Sequence, residues 1–187
     1  MKKRIVVLGI ALVAALASGI SVAETPDQAQ VCVACHGEGG KSTNPLWPNL
    51  AGQNAGYLAR QITAFREGER KNPAMAPFVA PLTDADIAIL ASYFSSQPLA
   101  ISATGDASEI ETGKYLAGYC SACHGYAGKP ATNEWPILAG QHAAYLRQQL
   151  LAYKSGERIH PLMQAAISKL GEKEFSALAA YYSQLQP

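Results

Sequence analysis

A short motif of two cysteines and a histidine occurs twice in this chain and constrains its fold more than any other feature. The first copy, CVACH, begins at Cys32, and the second, CSACH, begins at Cys120, 88 residues later. The same offset aligns further segments without a gap: Trp47-Pro48 with Trp135-Pro136, AGQ at Ala51 with AGQ at Ala139, GER at Gly68 with GER at Gly156, and Met75 with Met163. A chain of 187 residues that repeats itself in this way predicts two small domains of one fold.

The N-terminal segment has the features of a secretory signal. Lys2, Lys3 and Arg4 precede an apolar run that ends near Ala17, and small residues follow up to Ala23. We therefore predict cleavage after Ala23, export to the periplasm, and this division of the chain: signal peptide 1–23, first domain 24–97, linker 98–105 and second domain 106–187. The apolar run is shorter than the ~20 residues of a usual membrane span. An uncleaved anchor remains an alternative.

The charge of the mature chain bears on its partners. The formal net charge is +1, and removal of the three basic residues of the signal makes it negative. The remainder contains no cluster of Lys and Arg, which argues against a nucleic-acid partner.

Apolar residues recur with helical spacing in both repeats. Gly-, Pro- and Asn-rich loops separate these stripes, Thr83 precedes one of them as a candidate N-cap, and no convincing series of strands is present. The pattern predicts an all-α fold in which the stripes form the core. Their members are Leu58, Ile62, Phe65, Ile87, Leu90, Ala91 and Phe94 in the first repeat, and Leu146, Leu150, Tyr153, Phe175, Leu178, Ala179 and Tyr182 in the second.

The Cys-x-x-Cys-His motif indicates covalent haem attachment. On a helix its three side chains occupy positions i, i+3 and i+4, which share one face. Two thiols can then add to the vinyl groups along one porphyrin edge, while the adjacent imidazole reaches the iron. A domain of about 80 residues has too few apolar side chains to build an adequate core alone, and a bound haem would fill part of that core. The predicted cofactor-binding residues are Cys32, Cys35, Cys120 and Cys123, and the predicted iron-ligating histidines are His36 and His124.

Other uses of four cysteines are less well supported. Export permits two disulfide bonds, and thiol–disulfide exchange uses Cys-x-x-Cys motifs, although in a strand–helix setting that this sequence does not predict. A structural zinc site would need a second pair of ligands roughly 12–20 residues further on, and neither motif is followed by one.

Methionine is the predicted ligand on the other face of each iron. Apart from Met1 the chain contains two methionines, Met75 and Met163, one in each repeat and each two residues after a proline. Thioether ligation of haem iron is well precedented, whereas a lone methionine more often fills a gap in a core. Two further histidines have simpler roles: His142 is interpreted as a helix cap or surface residue, and His160 as an exposed side chain that could compete for iron if its loop loosened.

With these motifs the chain resembles the class I cytochromes c, and its duplication makes it similar to the dihaem cytochrome c4 family over nearly the whole mature length. The resemblance implies two tandem class I cytochrome c domains, each wrapped around one covalently attached haem. It also implies that the carbonyls of Pro48 and Pro136, each twelve residues after a motif histidine, accept a hydrogen bond from that histidine. Four more residues repeat at matching positions and are candidates for binding haem propionates. Otherwise the two tryptophans are core aromatics and the two arginines are solvated surface charges. They are Trp47, Trp135, Arg70 and Arg158.

In the fold that the resemblance implies, the first helix of each domain crosses the last. In the second repeat this crossing would place Gly113 and Leu116 against Tyr181 and Tyr182. The first repeat has no such glycine, so its first helix should be short, or the cleavage site is placed too late.

The resemblance implies one-electron transfer and no enzymatic activity. With His and Met on every iron no position is left for a substrate, and the expected partners are a quinol-oxidising complex and a cytochrome oxidase, with peripheral membrane association left open. The alternative is a dihaem electron-accepting subunit of a larger oxidoreductase such as flavocytochrome sulfide dehydrogenase. A dihaem thiosulfate dehydrogenase would need a spare cysteine as a ligand, and a dihaem peroxidase would need an open iron.

Overall fold

The computed structural model describes residues 25–187, and the predicted signal peptide and its cleavage site lie outside the described residues. These residues form helices and contain no β-strand, which confirms the predicted all-α fold of two tandem domains. The helices of the first repeat are α1 (Asp27–His36), α2 (Ala55–Arg66), α3 (Ala76–Val79) and α4 (Asp84–Ser96). Those of the second are α5 (Ile110–Ala117), α6 (Ser121–His124), α7 (Ala143–Ser155), α8 (Pro161–Ala166) and α9 (Glu172–Gln184).

Each repeat has its own apolar core, formed mainly by its middle and last helices. In the first repeat α2 and α1 pack against α4, where Leu90 and Phe94 are almost wholly buried. In the second, α5 and α7 pack against α9. Thr83 is the N-cap of α4, as predicted: its hydroxyl accepts from the Asp86 amide, and the Asp86 carboxylate accepts from the Thr83 amide. The predicted stripes therefore supply the core of both domains.

The predicted helix crossing is present in the second repeat. A Cβ at Gly113 of α5 would overlap the carbonyl of Ala177 and the Tyr181 side chain of α9, so only glycine permits this close approach. The first repeat is different, since α1 carries the cysteine motif itself and begins only at Asp27. There Thr25 hydrogen-bonds Tyr93 through their hydroxyls at 2.8 Å.

The linker between the repeats packs against both of them. No helix is present between Ser96 and Ala107, and the backbone near Leu99 and Ala100 lies directly against Gly52 and Gly140, where a Cβ would overlap it. Both glycines have positive φ, 70° and 72°, which other residues rarely adopt. Within residues 25–187, helices are too short or too polar to cross a membrane.

Candidate haem sites

The cysteine motifs lie on helices at the positions that the sequence predicts. Cys32 and Cys35 lie on α1, Cys123 lies on α6, and Cys120 precedes α6 with helical backbone angles. All four thiols are free, so the alternative of two disulfide bonds is not realised in this structure. Burial raises the pKa of Cys32 and of Cys120. The first thiol of each pair is therefore protected from ionisation by its apolar surroundings.

The motif histidines are buried and held by the predicted prolines. His36 Nδ1 lies 2.9 Å from the Pro48 carbonyl oxygen, and His124 Nδ1 lies 3.2 Å from that of Pro136. A carbonyl can only accept, so each Nδ1 carries the proton. Burial lowers the pKa of both imidazoles, which keeps them neutral. Each Nε2 therefore presents a lone pair, the form in which imidazole binds a metal.

One of these lone pairs has no partner in the part of the chain that the structure describes. His124 Nε2 is buried, and among residues 25–187 no group hydrogen-bonds to it. Buried polar atoms are rarely left unsatisfied, because the lost hydration is costly. A haem iron would supply the missing interaction, so the second site fits the predicted cofactor. His36 makes the equivalent hydrogen bond through Nδ1, so its Nε2 lone pair is likewise available to bind iron in the first site.

The two methionines lie on short helical turns that are stabilised by different hydrogen bonds. Met75 precedes α3, in a turn where Asn72 accepts from the Ala74 amide at 2.9 Å. Met163 lies within α8, where Nδ1 of His160 accepts from the Met163 amide at 3.4 Å. His160 is half-buried, with its ring centroid 6.3 Å from that of Trp135. His160 is thus a helix cap beside the second site, which corrects its interpretation as an exposed side chain.

His142 also differs from its interpretation. It occupies the N-cap position of α7, but its side chain does not cap the helix. Instead the ring is 5% exposed, and its Nε2 lies 2.9 Å from the carbonyl oxygen of Ser42 in the first domain. An N-cap position is usually solvent-exposed, whereas here the other domain covers it. His142 therefore connects the two domains.

Two glutamines that the sequence analysis did not single out as functional bind the backbone of the opposite domain. Gln141 Oε1 accepts from the Asn49 amide at 2.8 Å, and Gln141 Nε2 donates to the Asn49 carbonyl at 2.9 Å. Gln53 forms the same pair of bonds with Ile137, at 2.8 and 2.9 Å. The repeat offset relates the two sets of residues, so the interface has approximate twofold symmetry. The repetition of AGQ at Ala51 and Ala139 is the sequence feature that could have pointed to these glutamines.

Two arginines meet in the same interface. Arg70 donates to Gln61 Oε1 at 2.7 Å and to Gln149 Oε1 at 2.8 Å. Arg158, its equivalent, donates to Gln149 Oε1 at 2.8 Å and to Gln61 Oε1 at 2.6 Å. Only 9% of Arg158 is exposed. Arg158 is therefore not a solvated surface charge, the ordinary role that the sequence left open, and Arg70 is partly buried in the same cluster.

The arginine pair has no acidic partner in the described part of the chain. Arg158 also donates to the Tyr57 hydroxyl at 3.0 Å, and Arg70 to the Tyr145 hydroxyl at 3.1 Å. Burial alone would raise the pKa of Tyr57, but the guanidinium groups of Arg158 and Arg70 outweigh it and lower that pKa. None of the ion pairs found among residues 25–187 includes either arginine. Buried cations usually have an anionic partner, and haem brings two propionates.

Comparison with known proteins agrees with this geometry. The family model described as cytochrome c oxidase, cbb3-type, subunit III matches residues 27–94, and the cytochrome c model matches residues 110–186. The chain is 34% identical over 169 residues to a cytochrome c4 of Thiocapsa roseopersicina, with 83% of this chain and 87% of the relative covered. It is 36% identical over 167 residues to a thiosulfate dehydrogenase electron acceptor of Thiomonas intermedia, with 81% and 76% covered.

A solved structure has the same fold. The crystal structure of reduced cytochrome c4 from Pseudomonas stutzeri superimposes with a TM-score of 0.80 at 32% identity, covering 85% of this chain and 95% of that one. The two domain matches and the two cysteine motifs together identify two covalently bound haem c groups. The chain therefore belongs to the cytochrome c4 family of dihaem electron-transfer proteins.

Proposed function

We propose that this protein is a periplasmic one-electron carrier that accepts electrons from a quinol-oxidising complex and delivers them to a terminal oxidase or another acceptor. One observation carries the proposal: in each repeat a buried, neutral histidine has its Nδ1 bound to a proline carbonyl and its Nε2 available for iron. Haem c supplies a one-electron Fe(III)/Fe(II) couple when it is bound.

The residues around each haem have specific roles in this proposal. Cys32 and Cys35 would attach the first haem, His36 and Met75 would ligate its iron, and Pro48 fixes the tautomer of the histidine. The equivalent residues of the second site are Cys120, Cys123, His124, Met163 and Pro136. With a histidine on one face of each iron and a methionine on the other, no position would be left for a substrate, which favours electron transfer over catalysis.

The chain's own residues set the redox properties of the sites. A thioether ligand and an apolar pocket both favour the less charged Fe(II) state, so both haems should have fairly high reduction potentials. The supports of the two methionines differ, since Asn72 stabilises one turn and His160 caps the other. This asymmetry supports two distinct potentials.

The arginine pair gives the interface an affinity for anions. In this proposal the guanidinium groups of Arg70 and Arg158 offset the charges of haem propionates, because within residues 25–187 neither forms an ion pair. The positive charge also favours the reduced iron. The propionate-bearing edges of both haems would then lie at the domain interface, a placement that suits electron exchange between them.

A visible spectrum tests the ligand set directly. The exported protein should yield two c-type haems per chain by pyridine haemochrome, a low-spin reduced spectrum and the weak far-red sulfur-to-iron band. One haem per chain, or a high-spin spectrum without that band, would indicate an open iron and favour an enzyme. Cell fractionation of the full-length protein tests its location, because a cytoplasmic apoprotein would contradict export.

A second candidate function is that of electron acceptor for a specific dehydrogenase, free or as a subunit of a larger oxidoreductase. The similarity to a thiosulfate dehydrogenase electron acceptor favours it. Rapid mixing of the oxidised protein with a thiosulfate dehydrogenase and thiosulfate, and separately with a quinol-oxidising complex and quinol, would compare the two donors. Co-purification of a stoichiometric flavoprotein would instead indicate a subunit of a flavocytochrome sulfide dehydrogenase.

A further inference from the structure

A single peptide group links the first haem site to the second domain. The Pro48 carbonyl accepts from Nδ1 of His36 at 2.9 Å, and the amide of the same peptide group, that of Asn49, donates to Oε1 of Gln141 at 2.8 Å. The peptide between Pro48 and Asn49 is therefore hydrogen-bonded at both ends. One end reaches the proposed iron ligand and the other reaches the opposite domain.

The second site has the same connection in the reverse direction. The Pro136 carbonyl accepts from Nδ1 of His124 at 3.2 Å, and the Ile137 amide donates to Oε1 of Gln53 at 2.8 Å. Gln53 belongs to the first domain. Each domain thus contributes one glutamine to the peptide that holds the other domain's histidine.

Both glutamine side chains are fixed in this position. Gln53 and Gln141 are each 6% exposed. The oxygen of each accepts a second bond from the amide of the following residue, Asn54 at 2.9 Å or His142 at 3.1 Å. Each side-chain nitrogen donates to the carbonyl beyond the linked peptide. Because backbone amides only donate and carbonyls only accept, the orientation of both side-chain amides is determined.

Hydrogen bonds in such a chain strengthen one another. A peptide whose amide donates to an amide oxygen becomes a better acceptor at its own carbonyl. A better acceptor draws the Nδ1 proton of the histidine more strongly and makes the ring a more basic ligand. A more basic ligand stabilises Fe(III) and lowers the reduction potential.

We propose that Gln141 is a positioning residue for the haem site of the first domain and Gln53 for that of the second. The inference rests on the proposed ligand roles of His36 and His124. Each domain then sets the potential of the haem in the other domain, and correct docking of the two domains is part of the redox tuning.

The test uses Gln141→Met and Gln53→Met in the haem-loaded protein, since methionine keeps the length of the side chain without its hydrogen-bonding atoms. Redox titration followed by NMR resolves the two haems. Gln141→Met should raise the potential of the first haem and leave the second unchanged, and Gln53→Met should do the reverse. Gln141→Glu retains the acceptor oxygen and should keep the first potential at or below the wild-type value.

A matched control separates tuning from loosening of the interface. Arg60→Ala removes another interdomain contact, that with Glu134, which does not involve either linked peptide. It should leave both potentials unchanged. Equal shifts of both haems, a shift confined to the mutated domain, or no shift would overturn the proposal. A wild-type spectrum without His and Met ligation would instead overturn the ligand roles, so the two failures are distinguishable.

Discussion

Arg70 and Arg158 hydrogen-bond to the same two glutamine oxygens, those of Gln61 and Gln149, from opposite sides of the domain interface. Each guanidinium therefore lies close to a second positive charge, with Arg158 buried and Arg70 partly buried. An anion that offsets these charges would stabilise the arrangement, and propionates are the anions that haem provides.

Replacement of Arg158 by Gln should lower the reduction potential of both haems. Loss of a unit positive charge about 10 Å from an iron changes the free energy of reduction by about 1–2 kcal/mol at an effective dielectric constant near 20. Redox titration measures the shift. Lys154→Gln removes a surface charge of the same domain and should change the potentials far less, and equal effects of the two variants would contradict the buried anion site.

Met75→Ala and Met163→Ala should each open one iron and lower one potential. Loss of the thioether removes the ligand that favours Fe(II), and the vacant position should then bind cyanide or imidazole. Optical titration with these ligands checks the result, with each variant serving as the control for the other. If both variants keep the low-spin spectrum and potentials of the wild type, methionine ligation is wrong.

Gly113→Ala should destabilise the second domain, because its Cβ would overlap the backbone of Ala177. The cost should be roughly 1–3 kcal/mol, as in other overpacked sites. Urea unfolding measures it. Gly118→Ala is the matched control, because Gly118 directly follows α5 with helical backbone angles and has room for a Cβ 3.5 Å from the nearest atom. The change should be neutral or slightly stabilising. Similar losses for both variants would contradict the close crossing.

His142→Leu should weaken the docking of the domains, because the Ser42 carbonyl loses its donor in a buried site. An unsatisfied buried acceptor costs roughly 1–3 kcal/mol. His142→Gln places an amide nitrogen near the position of Nε2 and should restore most of the stability. Chemical unfolding of both variants is the measurement, and equal stability of Leu and Gln variants would exclude the hydrogen bond as the cause.

The haem sites could be predicted from the sequence because their residues are close in the chain and fixed by local geometry. The motif sets the face of a helix, and the resemblance to the class I cytochromes c implies Pro48 and Pro136 as the acceptors for the two histidines. The ligand roles of His36, Met75, His124 and Met163, and haem attachment through the four cysteines, remain predictions.

The interdomain contacts could not be predicted in the same way. Gln53 and Gln141 are polar residues in loops, and helical periodicity does not show which polar residues face another domain. His142 was misread for this reason, since its N-cap position indicates exposure in an isolated domain. The only signal was the identity of AGQ and GER in both repeats, which haem attachment alone does not explain.

The symmetry of the interface has a consequence for the origin of the chain. Gln53 and Gln141 make equivalent contacts, as do Arg70 and Arg158, so the same surface of each repeat forms the contact. Identical subunits form closed dimers through surfaces of this kind. A single domain with these residues would be equipped to pair with a copy of itself. Joining two such domains through the linker makes that pairing independent of protein concentration.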